Sequence, residues 1–138
     1  MHERGLVDTS VLIELESIES GALPAELAVS AVSFAELAAG PHAAEDRRER
    51  ARRQDRLQRI QATFDPLPFG ADAARTYGQI YAAVRSAGRK ARGRRFADLL
   101  IAATALAAGL PLYTRNPGDF AGLGSLVEVV HVEIAPDS

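Results

Sequence analysis

Gly5-Leu6-Val7-Asp8-Thr9-Ser10-Val11-Leu12-Ile13 is the stretch on which the fold of this chain turns. A short apolar run ends on a carboxylate, which reads as a buried strand stopping at Asp8. Directly after it Val11, Leu12, Leu15 and Ile18 recur at helical spacing, leaving Glu14, Glu16 and Glu19 on the outer face. A strand that passes at once into a helix opens an α/β unit, and the same alternation continues outward along the chain.

Leu27-Ala28-Val29 reads as a second strand, followed by a short helix from Ser33 to Ala39 that Gly40-Pro41 closes. Residues 43–63 read as a long polar helix, apolar only near its end, and Leu67 to Phe69 as a third, Pro-flanked edge strand. Ala74, Tyr77, Ile80, Tyr81 and Val84 mark an amphipathic helix stopped at Gly88. Phe96 to Ala108 is apolar nearly all round, which predicts a central buried helix capped by Gly109. Leu110 to Thr114 and Leu126 to Val132 supply the last strands. The expected fold class is α/β: a single domain with a central parallel sheet of four to five short strands flanked by helices. There is no internal repeat and no linker.

Composition sets the outer bounds. A chain of 138 residues suits one domain. It contains no cysteine, which removes disulfides, thiolate zinc sites and a cysteine nucleophile. The opening MHERGLVDTS has no apolar leader and no run reaches membrane-spanning length, so a cytoplasmic protein without a membrane partner is expected. The net charge of -2 conceals an uneven layout: residues 47–59 hold seven arginines, and residues 85–95 hold six basic residues without an acid. Such local patches attract polyanions even when the balance is neutral.

Four acids fall at corresponding places on this map. Asp8 ends the first strand, Glu36 lies in the helix after the second, Asp98 is in the first turn of the buried helix, and Asp119 follows the Leu110–Thr114 strand. In an open parallel sheet these places gather outside the carboxyl ends of the strands, where ligands bind. Each acid also has an ordinary reading. Asp8 can cap the helix behind it. Ser33-Phe-Ala-Glu36 has the spacing of a capping box. Asp98 suits a helix N-terminus, and Asn116-Pro-Gly-Asp119 has the composition of a turn.

Brought together, the four would need a counter-charge. Two carboxylates about 5 Å apart repel by roughly 3 kcal/mol at an effective dielectric near 20. A cation or shared protons would relieve this, and hard oxygen donors suit Mg²⁺ or Mn²⁺. His2, His42 and His131 are scattered and unsuited to a zinc site. Thr9 and Ser10 beside Asp8, and Thr114 and Asn116 before Asp119, can orient carboxylates or hold water, though capping and turn formation account for Thr9 and Ser10 equally well.

These residues fall into motifs that resemble the PIN-domain family. Val7-Asp8-Thr9-Ser10-Val11-Leu12-Ile13 is similar to its opening motif and Val32-Ser33-Phe34-Ala35-Glu36-Leu37 to its second. Asp98-Leu-Leu-Ile-Ala-Ala-Thr-Ala105 resembles the third, and Leu112-Tyr-Thr-Arg-Asn116 with Asp119-Phe120 the fourth. Length and the Gly88–Arg95 stretch are most similar to VapC-type toxins of bacterial toxin–antitoxin pairs. The resemblance implies a PIN-like nuclease domain over residues 1–135 with a short tail at 136–138. It implies an Mg²⁺- or Mn²⁺-dependent endoribonuclease, a homodimer, and a cognate antitoxin as protein partner. Carried over by position, Asp8 and Asp98 bind the metal, Glu36 and Asp119 complete the shell directly or through water, and Thr9, Thr114 and Asn116 support them.

The arginines divide by their neighbours. Asp46/Arg50, Glu49/Arg53 and Asp55/Arg59 stand acid-first at i,i+4, so residues 46–59 read as a solvated ion-paired face. The 85–95 cluster has no acids and precedes Asp98, which makes Arg94 and Arg95 the candidates for RNA phosphate contacts.

Rival readings fit less well. A phosphatase of the aspartyl type wants a second Asp where Ser10 stands, and a receiver domain wants a late-strand Lys, whereas Lys90 lies in the basic loop. No Gly-rich phosphate loop follows the first strand. The remaining rival is a non-catalytic RNA- or protein-binding domain with a vestigial acidic pocket.

Overall fold

The computed structural model describes residues 2–89, 93 and 95–134. Four strands form one sheet: β1 (Arg4–Val7), β2 (Glu26–Val29), β3 (Leu112–Thr114) and β4 (Val129–His131). They stand in the order β2-β1-β3-β4, every pair parallel. Among the described residues five α-helices cover it: α1 (Thr9–Ile13), α2 (Ala31–Ala43), α3 (Arg47–Thr63), α4 (Ala71–Ser86) and α5 (Arg95–Ala108). The α/β class and the parallel sheet are as the sequence predicts. No helix among the described residues is long and apolar enough to cross a membrane.

The period of two along each strand divides the core. Leu6, Ala28 and Leu112 point to one side and pack with Ile80 and Val84 of α4 and Leu99, Ile101 and Ala102 of α5. Their neighbours Val7, Val29 and Tyr113 point to the other, against Val11 and Leu12 of α1, Leu37 of α2 and Leu57 and Ile60 of α3. A sheet buried on both faces explains why its strands read as continuous apolar runs. β1 lies so close to Tyr113 that a Cβ on Gly5 would fall 2.5 Å from Cε1 of that ring.

Several expectations are corrected. The third strand shrinks to one residue: Leu67 N–H donates to the Val29 carbonyl at 2.8 Å and its carbonyl accepts from Ala31 N–H at 2.8 Å. Pro66 and Pro68 on either side have no N–H to extend the ladder. The Leu126–Val132 run pairs only over Val129–His131, because the N–H groups of Leu126 and Val127 both turn back to Leu123. The first helix is short, and Leu15–Ser17 forms a separate 3₁₀ turn that still directs Ile18 into the core.

α2 runs through Gly40-Pro41 to Ala43 rather than stopping there. Pro41 deprives the Leu37 carbonyl of its helical donor, but the ring is buried and the Gly40 carbonyl accepts from Arg53 Nη1 of α3 at 2.9 Å. Of the expected ion pairs on α3, Glu49–Arg53 and Asp55–Arg59 form. Asp46 instead caps the helix, taking the Glu49 N–H at 2.8 Å. The C-terminal tail expected at 136–138 lies outside the described residues.

Candidate active site

β1 and β3 lie side by side, so the segments that leave their carboxyl ends meet. At the end of β1, Asp8 takes extended dihedrals and caps α1, accepting the Val11 N–H at 3.1 Å on Oδ1. Ser10 Oγ donates to the same oxygen at 2.6 Å. Asp8 is 4% exposed, and burial pushes its carboxyl above the ordinary range, partly offset by these hydrogen bonds and one from Thr114.

Ser10 ties the two strand ends together. Besides Asp8 it receives the backbone N–H of Arg115 at 3.0 Å, and its hydroxyl stands 3.4 Å from that of Thr114. Thr114 is fully buried and accepts the Asn116 N–H at 3.0 Å, which starts the turn Pro117–Phe120 bearing Asp119.

Glu36 arrives from α2. Thr9 Oγ1 stands 2.6 Å from Glu36 Oε1 and 2.9 Å from Ser33 Oγ, able to donate to either. Asp98 sits in the first turn of α5. Partial burial raises its carboxyl to about 7, with Asp119, Glu36 and Asp8 repelling its charge and Arg95 opposing them. Glu36, Asp98, Asn116 and Asp119 line an open cleft of about 1000 Å³, with Thr9, Ser10, Arg95 and Phe96 around them. Asp8 lies beneath this surface.

A family profile described as the PIN domain matches residues 5–124. This chain belongs to the PIN-domain family. It is 35% identical over 133 residues to Ribonuclease VapC5 of Mycobacterium tuberculosis, a match covering 93% of this chain and 95% of that protein. Its fold matches the crystal structure of VapBC-5, a member of the VapBC family of toxin–antitoxin systems from the same organism. That match has a TM-score of 0.82 at 35% identity, over 94% of this chain and 99% of the other. A toxin–antitoxin complex from Klebsiella pneumoniae matches with a TM-score of 0.62 at 27% identity, over 91% of this chain and 95% of the other.

In this PIN domain the four acids singled out in sequence approach one another from four separate segments. The capping-box reading of Glu36 fails: α2 starts at Ala31, Ser30 caps it by accepting the Val32 N–H at 3.0 Å, and Glu36 faces Thr9 instead. The capping role of Asp8 holds, alongside its place in the cluster. Thr114 and Asn116 belong to the hydrogen bonds around Ser10, while Thr9 pairs with Glu36 and Ser33. Ser10 contributes more than its sequence position suggested, because its contact with Arg115 ties the ends of β1 and β3 and local spacing carries no sign of it. Arg95 is at the cleft, where its Nη1 donates to the Asp119 carbonyl at 2.8 Å; Arg94 lies outside the described residues.

The donor set fits a hard divalent cation. It is all oxygen, and Asp98 is crowded by like charge that a cation would neutralise. Among the described residues no three His, Cys, Asp or Glu side chains converge tightly enough to enclose an ion by themselves.

Proposed function

We propose that this PIN domain is an endoribonuclease toxin that hydrolyses RNA phosphodiester bonds with Mg²⁺ or Mn²⁺ and is neutralised by a cognate antitoxin. The observation that carries it is the meeting of Glu36, Asp98 and Asp119 at one open cleft with Asp8 beneath it, Asp98 being raised to about 7 by partial burial and by repulsion from the other three acids. The likeness to Ribonuclease VapC5 supports the substrate, and the likeness to VapBC-5 supports an antitoxin partner. Homodimerisation and action in the cytoplasm, where RNA and antitoxin meet, belong to the same proposal.

Asp8 and Asp98 would hold the ion, with Glu36 and Asp119 completing the shell directly or through water. The bound ion supplies Lewis acidity toward the phosphate and a water of lowered pKa. Ser10 and the Val11 N–H fix Asp8 at one oxygen, and Thr9 does the same for Glu36, so neither carboxylate must be reoriented during reaction. Asp98 would hold the ion as the deprotonated carboxylate. Thr114 and Asn116 set the start of the turn on which Asp119 stands.

The decisive test is to map the RNA ends produced on expressing the chain and its Asp8→Asn variant. New 5′ ends at reproducible sites should appear with the wild type only. Identical end profiles would instead favour a non-catalytic binding domain.

Arg94 and Arg95 are proposed to contact RNA phosphates, since one Arg95 nitrogen on Asp119 leaves a guanidinium with further donors. In an Asp8→Asn background, removing both charges should flatten the salt dependence of RNA affinity by about one unit of log–log slope per contact. Arg50→Gln on α3 should leave the slope as it is. A slope unchanged in both would withdraw the assignment.

A further inference from the structure

The turn that carries Asp119 is short and held by little of its own. It spans Pro117–Phe120, Asn116 gives it no side-chain cap, and its internal bonds are Asp119 N–H to the Asn116 carbonyl at 3.0 Å and Ala121 N–H to the Gly118 carbonyl at 3.3 Å. Beside the Phe120 ring buried in the core, its side-chain hydrogen bonds among the described residues come from Arg89, which follows α4, and Arg95, which begins α5. Arg89 Nη2 donates to the Gly118 carbonyl at 3.2 Å, and Arg95 Nη1 to the Asp119 carbonyl at 2.8 Å. Gly122, at φ +93°, lies so close to the end of α4 that an added Cβ would come within 2.9 Å of the Ala87 Cβ.

Two guanidinium groups thus hold consecutive carbonyls of one turn, while a glycine lets the following backbone close on Ala87. Charge-assisted bonds of this kind are stronger than neutral ones, and they fix direction as well as distance. A cleft acid on an irregular turn needs such support, because a shift of about 1 Å is enough to spoil a metal or substrate geometry.

We infer that Arg89 and Arg95 are positioning residues, a clasp that holds the Asp119 turn in place beside Asp98. The inference rests on the proposed function only for what the turn is positioned to do; the clasp itself is a property of the metal-free protein.

Hydrogen–deuterium exchange on the metal-free chain reads the clasp directly. Amides of residues 116–123 should exchange about tenfold faster in Arg89→Gln/Arg95→Gln than in wild type, while residues 99–105 of α5 stay as protected. Arg95→Lys, which keeps a cationic donor, should recover part of the protection, and Arg50→Gln should change nothing. Calorimetric titration with Mn²⁺ then tests the positioning role: the double variant should bind about tenfold more weakly, as loss of groups that orient metal ligands does. Mg²⁺ required for half-maximal cleavage should rise by a similar factor.

Unchanged exchange at residues 116–123 would overturn the clasp. Faster exchange with undiminished Mn²⁺ affinity would overturn the positioning role. Should the wild type neither bind Mn²⁺ nor cut RNA, the nuclease reading and the positioning role would fall together, and the exchange arm would still decide the clasp.

Discussion

Asp98→Asn is expected to abolish cleavage and, in the absence of metal, to make the protein more stable. The rate loss follows from removing a principal metal donor, whose ion contributes several kcal/mol to the transition state, or on the order of 10³ in rate. The stability gain follows from the partial burial of the Asp98 carboxyl and from the like charges around it. The Asp98 carboxyl titrates at about 7 in the folded chain against an ordinary value of 3.8. Between those values the folded state binds more protons than the unfolded one, so stability is greatest below the ordinary value and is lost as pH rises through about 7. The Asn variant lacks this loss.

Melting curves in chelator from pH 4 to 8 should therefore diverge, the variant overtaking the wild type as pH rises. Adding Mn²⁺ at pH 8 should reverse the order. An ion that binds only the folded wild type at a hundred times its Kd stabilises it by about 2.7 kcal/mol, and the variant gains far less. Parallel melting profiles for the two proteins across this range would show that Asp98 is not under the strain described.

Asp8 should behave in the opposite sense. Asp8→Ala is expected to lose both activity and stability, whereas Asp8→Asn should lose activity alone. The Asp8 carboxylate caps α1 through the Val11 N–H and receives the Ser10 hydroxyl. Alanine removes the oxygen that accepts both. A lost N-cap costs about 1 kcal/mol, and a buried donor left without a partner costs about 1–3 kcal/mol. Asparagine retains an oxygen that can cap, but supplies no charge to a cation. Urea unfolding should give a lower midpoint for Ala at an unchanged slope. An Ala variant as stable as the Asn variant would show that the cap contributes nothing.

The contrast between these two acids explains how much of the site could be read in advance. The placement of Asp8 was legible because a strand end and a helix cap are local patterns, a few residues long. That of Asp98 was legible for the same reason, at the start of an all-apolar helix. Glu36 was half legible: its approach to the site was expected, but Ser33-Phe-Ala-Glu36 also offered a capping box. Two serines, Ser30 and Ser33, compete for the helix start, and only the path of β2 into α2 selects Ser30. The surplus of Pro near Leu67 announced an edge strand, yet with two prolines beside it a single bridge is all the ladder can form.

Arg95 shows where local reading stops. A basic run without acids suggests phosphate, whereas the folded chain places one of its nitrogens on a backbone carbonyl 24 residues away in sequence. Ser10 reaches still further, to the N–H of Arg115.

The sequence alone determined the α/β class, the parallel sheet and the four acids with their hydroxyl neighbours, because those follow from apolar period and from motifs of a few residues. Only the tertiary structure decided what surrounds the acids. Pairing β1 with β3 sets Ser10 between Asp8 and Arg115. Packing α2 against α1 turns Glu36 toward Thr9. Closing Gly122 on Ala87 joins the Asp119 turn to the residues around Arg89 and Arg95. These contacts are long-range, so their cost in chain entropy is met only when the whole core forms, and no short stretch of the sequence carries their mark.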